Sequence, residues 1–208
     1  MKRTILYGVI ALSFLTVSIP LRGEYFITAQ DKADIARVEE YLNSMRSLRS
    51  KFMQYSSGNQ FAEGNIYIKR PKKVRLQYIR PPNIQVYANG FWLAHVDTEL
   101  NEVAHVPLEL TPAGFLVGKK IELSGDVTVR RIFRSANTLS IEIFKTDEPE
   151  DGKFVMAFAE RPLSLRKWVV TDAQGVSTSV ILAAPEFNVM IPDAVFEFDE
   201  TKFESESE

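Results

Sequence analysis

The sequence predicts a mainly β protein with helices (α+β), built on an antiparallel sheet that curls or closes on itself. The apolar period changes from about 3.6 to about 2 after residue 54. Nine or ten short strand-like runs then follow one another, and turn residues separate most of them. So many short antiparallel strands do not stay flat in one open sheet.

The first element of the domain is predicted to be an amphipathic helix over residues 31–49. Asp31 stands at the N-cap position, and apolar residues then recur at spacings of three and four. The members of this stripe are Ile35, Val38, Leu42, Met45 and Leu48. Charged residues occupy the other positions, so one face of the helix packs against the rest of the protein.

The strands are predicted from alternating or continuous apolar runs. Asn89-Gly90 indicates a tight turn between two of them, and Asp172-Ala173-Gln174-Gly175 indicates a hairpin loop between two others. The runs are 66–68, 74–78, 84–86, 91–96, 127–133, 139–144, 154–159, 163–171, 176–183 and 195–198.

One apolar segment, residues 109–118, interrupts this series of strands. Thr111 followed by Pro112 is typical of an N-cap and a first helical residue, and Gly118 of a helix end. A short apolar helix here cannot continue the sheet. We therefore expect it to plug the sheet or to cover it.

The N-terminus is typical of a secretory signal. Lys2 and Arg3 precede an uncharged, largely apolar run over residues 5–19, which is short for a membrane span of about 20 residues. An uncleaved anchor is the alternative. We predict a signal peptide over residues 1–29 with cleavage between 23 and 29, a single domain over 30–200, and an acidic tail over 201–208.

Composition and motifs favour a protein that is not an enzyme. The formal charge of −2 gives no basic excess for nucleic acid. With no cysteine there is no disulfide, thiolate metal site or cysteine nucleophile. His95 and His105 lack metal-ligand spacing, and the sequence contains no nucleophile elbow, zinc-protease, dinucleotide or P-loop motif. We predict no catalytic residues, no metal and no cofactor.

A basic cluster lies in the stretch IYIKRPKKVRLQY, residues 66–78. Its five cations surround Pro71, which cannot donate to a strand ladder and so indicates a strand end or edge. Taken alone, the cluster is best interpreted as a basic, solvated hairpin bend, because charged groups usually lie at the surface.

Several stretches, in this order, resemble the periplasmic outer-membrane lipoprotein carrier proteins, the LolA family. They are GNIYIKRPKKVRLQYIRPP, VYANGFWLAHVDTELNEV, PLELTPAGFLVG, LSLRKWVVTDAQGVSTSVIL and NVMIPDAVFEF, and they span most of the predicted domain. The resemblance implies an incompletely closed antiparallel β-barrel. In that family an N-terminal helix and a short helical lid lie over an apolar cavity.

The resemblance also implies a function and assigns candidate residues. A carrier of this family binds the acyl chains of lipoproteins released by an inner-membrane transporter and gives them up at the outer membrane. Whether a separate acceptor receives them there stays open. It works in the periplasm, and we expect a monomer. Arg70, in IKRP, resembles the family's arginine that holds the lid shut. An arginine fork suits that role because it satisfies several helix-end carbonyls at once.

Two sets of residues follow from placing these elements on the family's architecture. The expected lid residues are Thr111, Pro112, Phe115, Leu116 and Val117. The candidates for lining the cavity are Ile35, Val38, Leu42, Met45, Val74, Leu76, Tyr78, Val86, Trp92, Leu139, Ile141 and Ile143. Which face of each strand points inward stays open, because a one-residue slip reverses it.

Two other functions stay open at this point. A related half-barrel could use the same cavity to sense envelope lipids or lipoproteins, although such sensors usually carry a second domain. A periplasmic hydrolase or a binder of small apolar ligands is the other alternative.

Overall fold

One antiparallel sheet of eleven strands forms the frame of the protein. The structure is a computed structural model and describes residues 25–199 and 201. The predicted signal sequence up to residue 24 and most of the predicted acidic tail lie outside the described residues. The strands are β1 (Ser47–Ser56), β2 (Gln60–Lys69), β3 (Lys73–Arg80), β4 (Ile84–Asn89), β5 (Trp92–Asp97), β6 (Glu102–Pro107), β7 (Val127–Ser135), β8 (Thr138–Lys145), β9 (Gly152–Glu160), β10 (Leu163–Asp172) and β11 (Ser177–Phe187).

The strand order shows an antiparallel sheet that is not closed. It runs β6-β5-β4-β3-β2-β1-β11-β10-β9-β8-β7, so two meanders meet where β1 pairs with β11. The edge strands β6 and β7 are consecutive in the chain but stand at opposite ends of this order. The predicted fold class, an incompletely closed antiparallel sheet with few helices, is confirmed.

The register sorts the side chains into an apolar inner face and a more polar outer face. Across the first meander, Ile66 pairs with Leu76, which pairs with Val86. Across the second, Trp168 pairs with Met156, which pairs with Ile141. Directly opposed residues of antiparallel strands share a face, so these rows form one continuous inner surface, and five of the six belong to the core cluster or pack against it.

The N-terminal helix, α1 (Ala29–Ser44), begins and ends earlier than predicted. Its N-cap is Thr28, and Asp31 is the third helical residue, whose carboxylate accepts from the Thr28 backbone N–H at 2.8 Å in a capping box. The predicted C-terminal end at residue 49 is wrong because β1 starts at Ser47. Leu48 continues the helical apolar spacing although it belongs to the strand, where it is buried.

Each predicted run from 66 to 183 overlaps a strand, although the runs over 91–96 and 176–183 begin one residue before their strands do. The Asn89-Gly90 turn and the 172–175 loop each connect two of these strands. The predicted strand over 195–198 is wrong. Asp193–Phe196 form a short 3-10 helix after Pro192. The segment lies on the outer face, where Asp193 accepts from Lys69 and the Phe198 ring contacts Tyr87.

The second helix, α2 (Pro112–Val117), follows a 3-10 turn at Leu108–Leu110 and comes between the two edge strands in sequence. Thr111 caps it as predicted, since its hydroxyl accepts from the Gly114 N–H at 3.2 Å. Neither helix, nor any other in residues 25–199 and 201, is long and apolar enough to cross a membrane.

Gly64 on β2 occupies a position with no room for a side chain. A Cβ there would lie 2.2 Å from the Gln77 carbonyl oxygen and 2.9 Å from the Phe52 ring. We expect Gly64→Ala to lower the free energy of unfolding by about 2 kcal/mol, since overpacking a core costs about 1–3 kcal/mol. Urea denaturation measures this effect. Gly58→Ala, at a turn where nothing lies within 4 Å, is the control and should change stability far less.

Candidate functional site

The two helices cover the inner face of the sheet. Val38 and Leu42 of α1 and the cap residue Met45 are buried in the core, and Ile35 packs against it. Tyr41 lies at the side of this stripe, and its hydroxyl accepts from the Leu165 N–H at 3.0 Å, beside an irregularity in the pairing of β10 with β9. This contact fixes α1 to the second meander.

α2 connects the two meanders over the same face. Leu116 and Val117 are buried, and the Phe115 ring meets Phe154 of β9 edge-on at 5.8 Å. On the other side, the Lys72 N–H donates to the Val117 carbonyl at 2.9 Å. The predicted short helix therefore covers the sheet and does not extend it.

Gly114 allows α2 to fold tightly onto the preceding 3-10 turn. A Cβ at this position would lie 2.2 Å from the Leu108 carbonyl oxygen and 2.9 Å from the Glu109 Cα. The glycine weakens helix propensity, but here it permits a close backbone contact that holds α2 against the turn before it.

A small apolar cavity lies beneath α2 and against the inner face. Its volume is about 90 Å³. Ala113 and Leu116 of α2 form its cover, and ten residues in all line it. They are Phe52, Gln54, Ile66, Ile68, Val74, Leu76, Ala113, Leu116, Trp168 and Val180. This volume is well below the roughly 300–1,000 Å³ of typical ligand pockets.

Eleven of the twelve candidate lining residues belong to the inner face or to α1 and its cap, but only two of the twelve line this cavity. Val74 and Leu76 do so, while Tyr78 lies just beyond it. Val86 on β4 and the three candidates of β8 are buried on the same inner face, farther round the sheet. Those three are Leu139, Ile141 and Ile143.

Trp92 is the exception, and its predicted place at the cavity is corrected by the register of β5. Leu93 pairs with Ala88 and packs against the core cluster, which places Trp92 on the opposite face. The Trp92 side chain is 52% exposed, and its ring contacts Phe91 and His105. The sequence did not reveal which residues of this strand point inward, because both the odd and the even positions of residues 91–96 include apolar residues.

Arg70 connects the C-terminal ends of both helices to the turn between β2 and β3. Its Nε and Nη2 donate to the Gly118 carbonyl at 3.0 and 2.8 Å, and Nη2 also reaches Lys119 O at 3.4 Å. Its Nη1 donates to Leu42 O and to Met45 O. Partial burial lowers the pKa of the Arg70 guanidinium. Because the ordinary pKa of arginine is far above neutrality, the group stays protonated.

This arrangement suits the chemistry of helix ends. The last carbonyls of a helix lack intrahelical donors and carry partial negative charge. A guanidinium offers five donors in a fixed fork and reaches carbonyls of two chain segments at once. Arg70 therefore stabilises the arrangement in which α1 and α2 are both in place over the inner face.

The other cations around Pro71 also have partners, so the bend is more than a solvated surface feature. Lys69 and Lys73 both contact the Asp193 carboxylate, at 2.7 and 2.9 Å, which lowers the pKa of Asp193 to about 2. Lys72 pairs with Glu109 beside α2 at 2.7 Å. Arg75 is buried on the outer face, with its guanidinium 3.8 Å from the centre of the Tyr87 ring.

The segment after α2 is hydrogen-bonded to α1. The Asn43 side chain makes a reciprocal pair with Ile121, donating to its carbonyl at 2.8 Å and accepting from its N–H at 2.9 Å. The Leu123 N–H donates to the Glu39 carboxylate at 2.6 Å. The two helices are thus connected directly as well as through Arg70.

An ionic cluster around two buried carboxylates, which no sequence pattern revealed, holds the N-terminal end of α1. Arg134 of β7 contacts the carboxylates of Asp31 and Asp34 at 2.7 and 2.6 Å, and Arg37 joins Asp34 to Glu160. Asp31 is 1% exposed. Its pKa is lowered, first by the hydrogen bond from the Thr28 backbone and then by Arg134, against the opposing effect of burial.

A second, wider space lies on the inner face beyond Tyr78. We call it the open cleft. It has a volume of about 540 Å³ and is open to solvent. Its lining residues are Gln54, Ser56, Gln60, Phe61, Ala62, Tyr78, Arg80, Pro81, Ile84 and His95. Among residues 25–199 and 201, no group of three or more histidine or acidic side chains is placed to hold a metal ion.

Comparison with known proteins identifies the family. The protein-family model described as "Outer membrane lipoprotein carrier protein LolA" matches residues 43–199, about three quarters of the chain. The chain belongs to the LolA family. The matched region begins at the end of α1 and includes the Arg70 turn, α2 and the C-terminal segment on the outer face.

Relatives of this LolA-family chain include two proteins named outer-membrane lipoprotein carrier protein. The protein from Leptothrix cholodnii is 26% identical over 198 residues, covering 90% of this chain and 92% of its own. The one from Methylococcus capsulatus is 24% identical over 197 residues, with 90% and 93% covered. A LolA superfamily protein of known structure from Nitrosomonas europaea aligns over 79% of this chain and 97% of its own, at 9% identity and a TM-score of 0.44.

Proposed function

We propose that this LolA-family protein carries lipoproteins across the periplasm by holding their acyl chains against the inner face of the sheet, beneath α1 and α2. One observation carries the proposal. An apolar surface is covered by two helices, and Arg70 is hydrogen-bonded to the C-terminal end of each of them. Cargo released from an inner-membrane transporter would enter when the cover opens. It would leave at an outer-membrane acceptor, and the carrier would act as a monomer.

With α1 and α2 in place over the sheet, the remaining apolar cavity is small. About 90 Å³ is too small for an acyl chain. Loading therefore requires α1, α2 or both to move away from the sheet. The contacts that such a movement would break first are those of Arg70 with Leu42, Met45 and Gly118.

The cover also solves an energetic problem of a lipid carrier. Withdrawing a methylene from water is worth about 0.8 kcal/mol, so a chain of about 15 methylenes gains about 12 kcal/mol. A pocket that kept all of this gain would not release its cargo. Here cargo replaces the apolar contacts of α1 and α2 with the sheet, which lowers the net affinity and permits transfer onward.

We propose export by the signal sequence with cleavage after Gly23, because this keeps the capping box of α1. Thr28 caps the helix and bonds reciprocally with Asp31. Cleavage after Ala29 would remove Thr28 and leave the first turn of α1 without its cap. Mass determination of the mature protein from a periplasmic extract tests the position of the cut.

Native mass spectrometry tests the carrier function. We expect the mature protein, after incubation with membrane vesicles loaded with a triacylated lipoprotein, to form a one-to-one complex with it. Phe115→Asp should reduce loading at least tenfold, because it places a charge where α2 contacts Phe154 of β9. Phe133→Asp is the matched control, since Phe133 is 45% exposed on β7, and it should load normally.

Three results would contradict the proposal in whole or in part. A protein that binds no lipoprotein after incubation with the loaded vesicles has no carrier function. A protein that binds only free fatty acid or a small metabolite would instead support the sensor or small-ligand alternatives. Equal loading of the Phe115 and Phe133 variants would place the cover elsewhere.

A further inference from the structure

The inner face is divided into two compartments, and the boundary between them is made of identifiable side chains. The apolar cavity lies on one side and the open cleft on the other. Gln54 of β1 lines both. Phe52 lines only the cavity, and Tyr78 lines only the cleft. These three residues therefore form a partition between the compartments.

The partition is built over Gly64. In the sheet register Gly64 pairs with Phe52 of β1 on one side and with Tyr78 of β3 on the other. Because glycine has no side chain, the two aromatic rings meet across it, edge to face, with centroids 5.1 Å apart. A Cβ at Gly64 would lie 2.9 Å from the Phe52 ring, so the glycine is required for this packing.

A single side-chain hydrogen bond holds the remaining part of the partition. The Tyr78 hydroxyl donates to the Gln54 side-chain oxygen at 2.9 Å. Burial raises the pKa of Tyr78 to about 12, so its hydroxyl stays protonated and remains a donor. Since both groups are neutral side chains, the bond can break and the ring can turn without exposing a buried charge.

We propose that Phe52, Tyr78 and Gln54 set how deeply an aliphatic chain inserts, and that the open cleft is the second half of the acyl-chain site. This inference rests on the proposed function. A short chain stops at the partition. A longer chain displaces Tyr78 and continues along the inner face into the cleft, whose volume lies within the range of typical ligand pockets.

The lining of the cleft fits this role. Phe61, Ala62, Pro81 and Ile84 supply an apolar surface next to the partition, and Tyr78 itself forms part of the wall. Polar side chains, among them Ser56 and Gln60 at the adjoining ends of β1 and β2, also border the space. The cleft therefore offers apolar contact beyond the partition while it remains accessible to water.

Chain-length dependence of fatty-acid binding tests the proposal. Decanoate and stearate are titrated against a bound fluorescent acyl probe, with wild type and variants compared. We expect Tyr78→Ala to raise the affinity for stearate relative to decanoate about tenfold, equivalent to about two more methylenes withdrawn from water. Tyr67→Ala, a tyrosine on the opposite face of the neighbouring strand β2, is the control and should leave the ratio unchanged.

Milder variants keep the test valid if Tyr78→Ala does not fold. Tyr78→Phe and Gln54→Leu each remove the hydrogen bond and preserve most of the packing. We expect both to shift the ratio in the same direction, about threefold. A ratio that stays at the wild-type value in folded variants overturns the partition and leaves the carrier proposal intact. If neither acid displaces the probe from the wild-type protein, the partition and the carrier proposal are both overturned.

Discussion

Arg70→Leu is expected to release the cover and to leave the protein in its open form far more often than wild type. The substitution removes a cation that donates to main-chain carbonyls at the ends of both helices. Hydrogen bonds from a charged donor are worth about 1.5–3 kcal/mol each. With partial compensation by water we expect a loss of about 3 kcal/mol, which raises the open population about a hundredfold.

Such a shift would change transport in a specific direction. The apparent affinity for cargo rises as the open fraction rises, because less free energy is spent on displacing the cover. We therefore expect Arg70→Leu to load lipoprotein readily but to transfer it slowly to acceptor vesicles. Arg70→Lys should lie between the two, since an ammonium keeps the charge but loses the fork that reaches two segments.

Two measurements check this prediction. Hydrogen–deuterium exchange should accelerate in α2 and at the C-terminal end of α1, while the central strands stay protected. Transfer kinetics between loaded and acceptor vesicles report the functional consequence. Arg46→Leu, an exposed arginine directly after the cap of α1, is the matched control. Wild-type exchange and wild-type transfer in Arg70→Leu would refute the role assigned to this side chain.

The sequence was informative where local chemistry decides the structure. Thr111-Pro112 at the start of α2 and Gly118 at its end are short-range signals, and the helix begins and ends where they predict. The alternation on β3 likewise placed Val74 and Leu76 on one face, and both line the cavity. These predictions needed no knowledge of distant contacts.

The predicted helix end was wrong because the apolar spacing of α1 continued by chance into the first residues of β1. The inward-facing residues were predicted wrongly where both faces of a strand were apolar. Leu48 continued the spacing of α1 because an inward residue of β1 fell in phase with the helix. Trp92 and Leu93 are both apolar, and only pairing with β4 determines that Leu93 points inward. The run at 195–198 is apolar because Phe196 is buried in a 3-10 helix.

The contacts that hold the cover could not be derived from periodicity. Arg70 and Gly118 are 48 residues apart, and Asp31 and Arg134 are 103 apart. Charged residues in a strand or a helix usually indicate a solvated face. One signal was present: Thr28 and Asp31 have capping-box spacing, which would have placed the start of α1 correctly. No comparable signal marked Arg134.

The two ends of α1 are held by different kinds of interaction, and this difference determines which end can move. The C-terminal end is held by Arg70 and Asn43, through neutral acceptors that water can replace. The N-terminal end is held by the buried carboxylates of Asp31 and Asp34 against Arg134. Separating these groups would leave a buried charge without its partner, which is costly. We therefore expect α1 to open at its C-terminal end and to pivot about the ionic cluster.

Asp31→Ala is accordingly expected to cause a large loss of stability, about 2–3 kcal/mol. Removing one partner of a buried ion pair costs about 3–5 kcal/mol, and the 31% exposure of the Arg134 side chain reduces that figure. The substitution also removes one half of the capping box. Chemical denaturation measures the loss. Asp147→Ala, in the exposed loop between β8 and β9, is the control and should cost less than about 0.5 kcal/mol.

The same cluster makes the stability of the protein depend on pH in a predictable direction. The pKa of Asp31 is lower in the folded protein than its value of about 3.9 in an unfolded chain. Its charged form therefore contributes stability above about pH 4, and that contribution disappears as the pH falls through the folded pKa. The facing groups, Asp34 and Arg134 with Arg37 and Glu160 beyond, remain part of the environment in any variant at this position.

Asp31→Asn isolates this contribution because asparagine keeps the size and most of the hydrogen bonding of the native side chain. We expect wild type to exceed this variant in free energy of unfolding at pH 7 and the difference to shrink steadily between about pH 4 and pH 2. Urea denaturation at several pH values measures it, with Asp147→Asn as the matched control. A difference that stays constant over this range would show that the charge of Asp31 does not hold α1, and the pivot would then have to lie elsewhere.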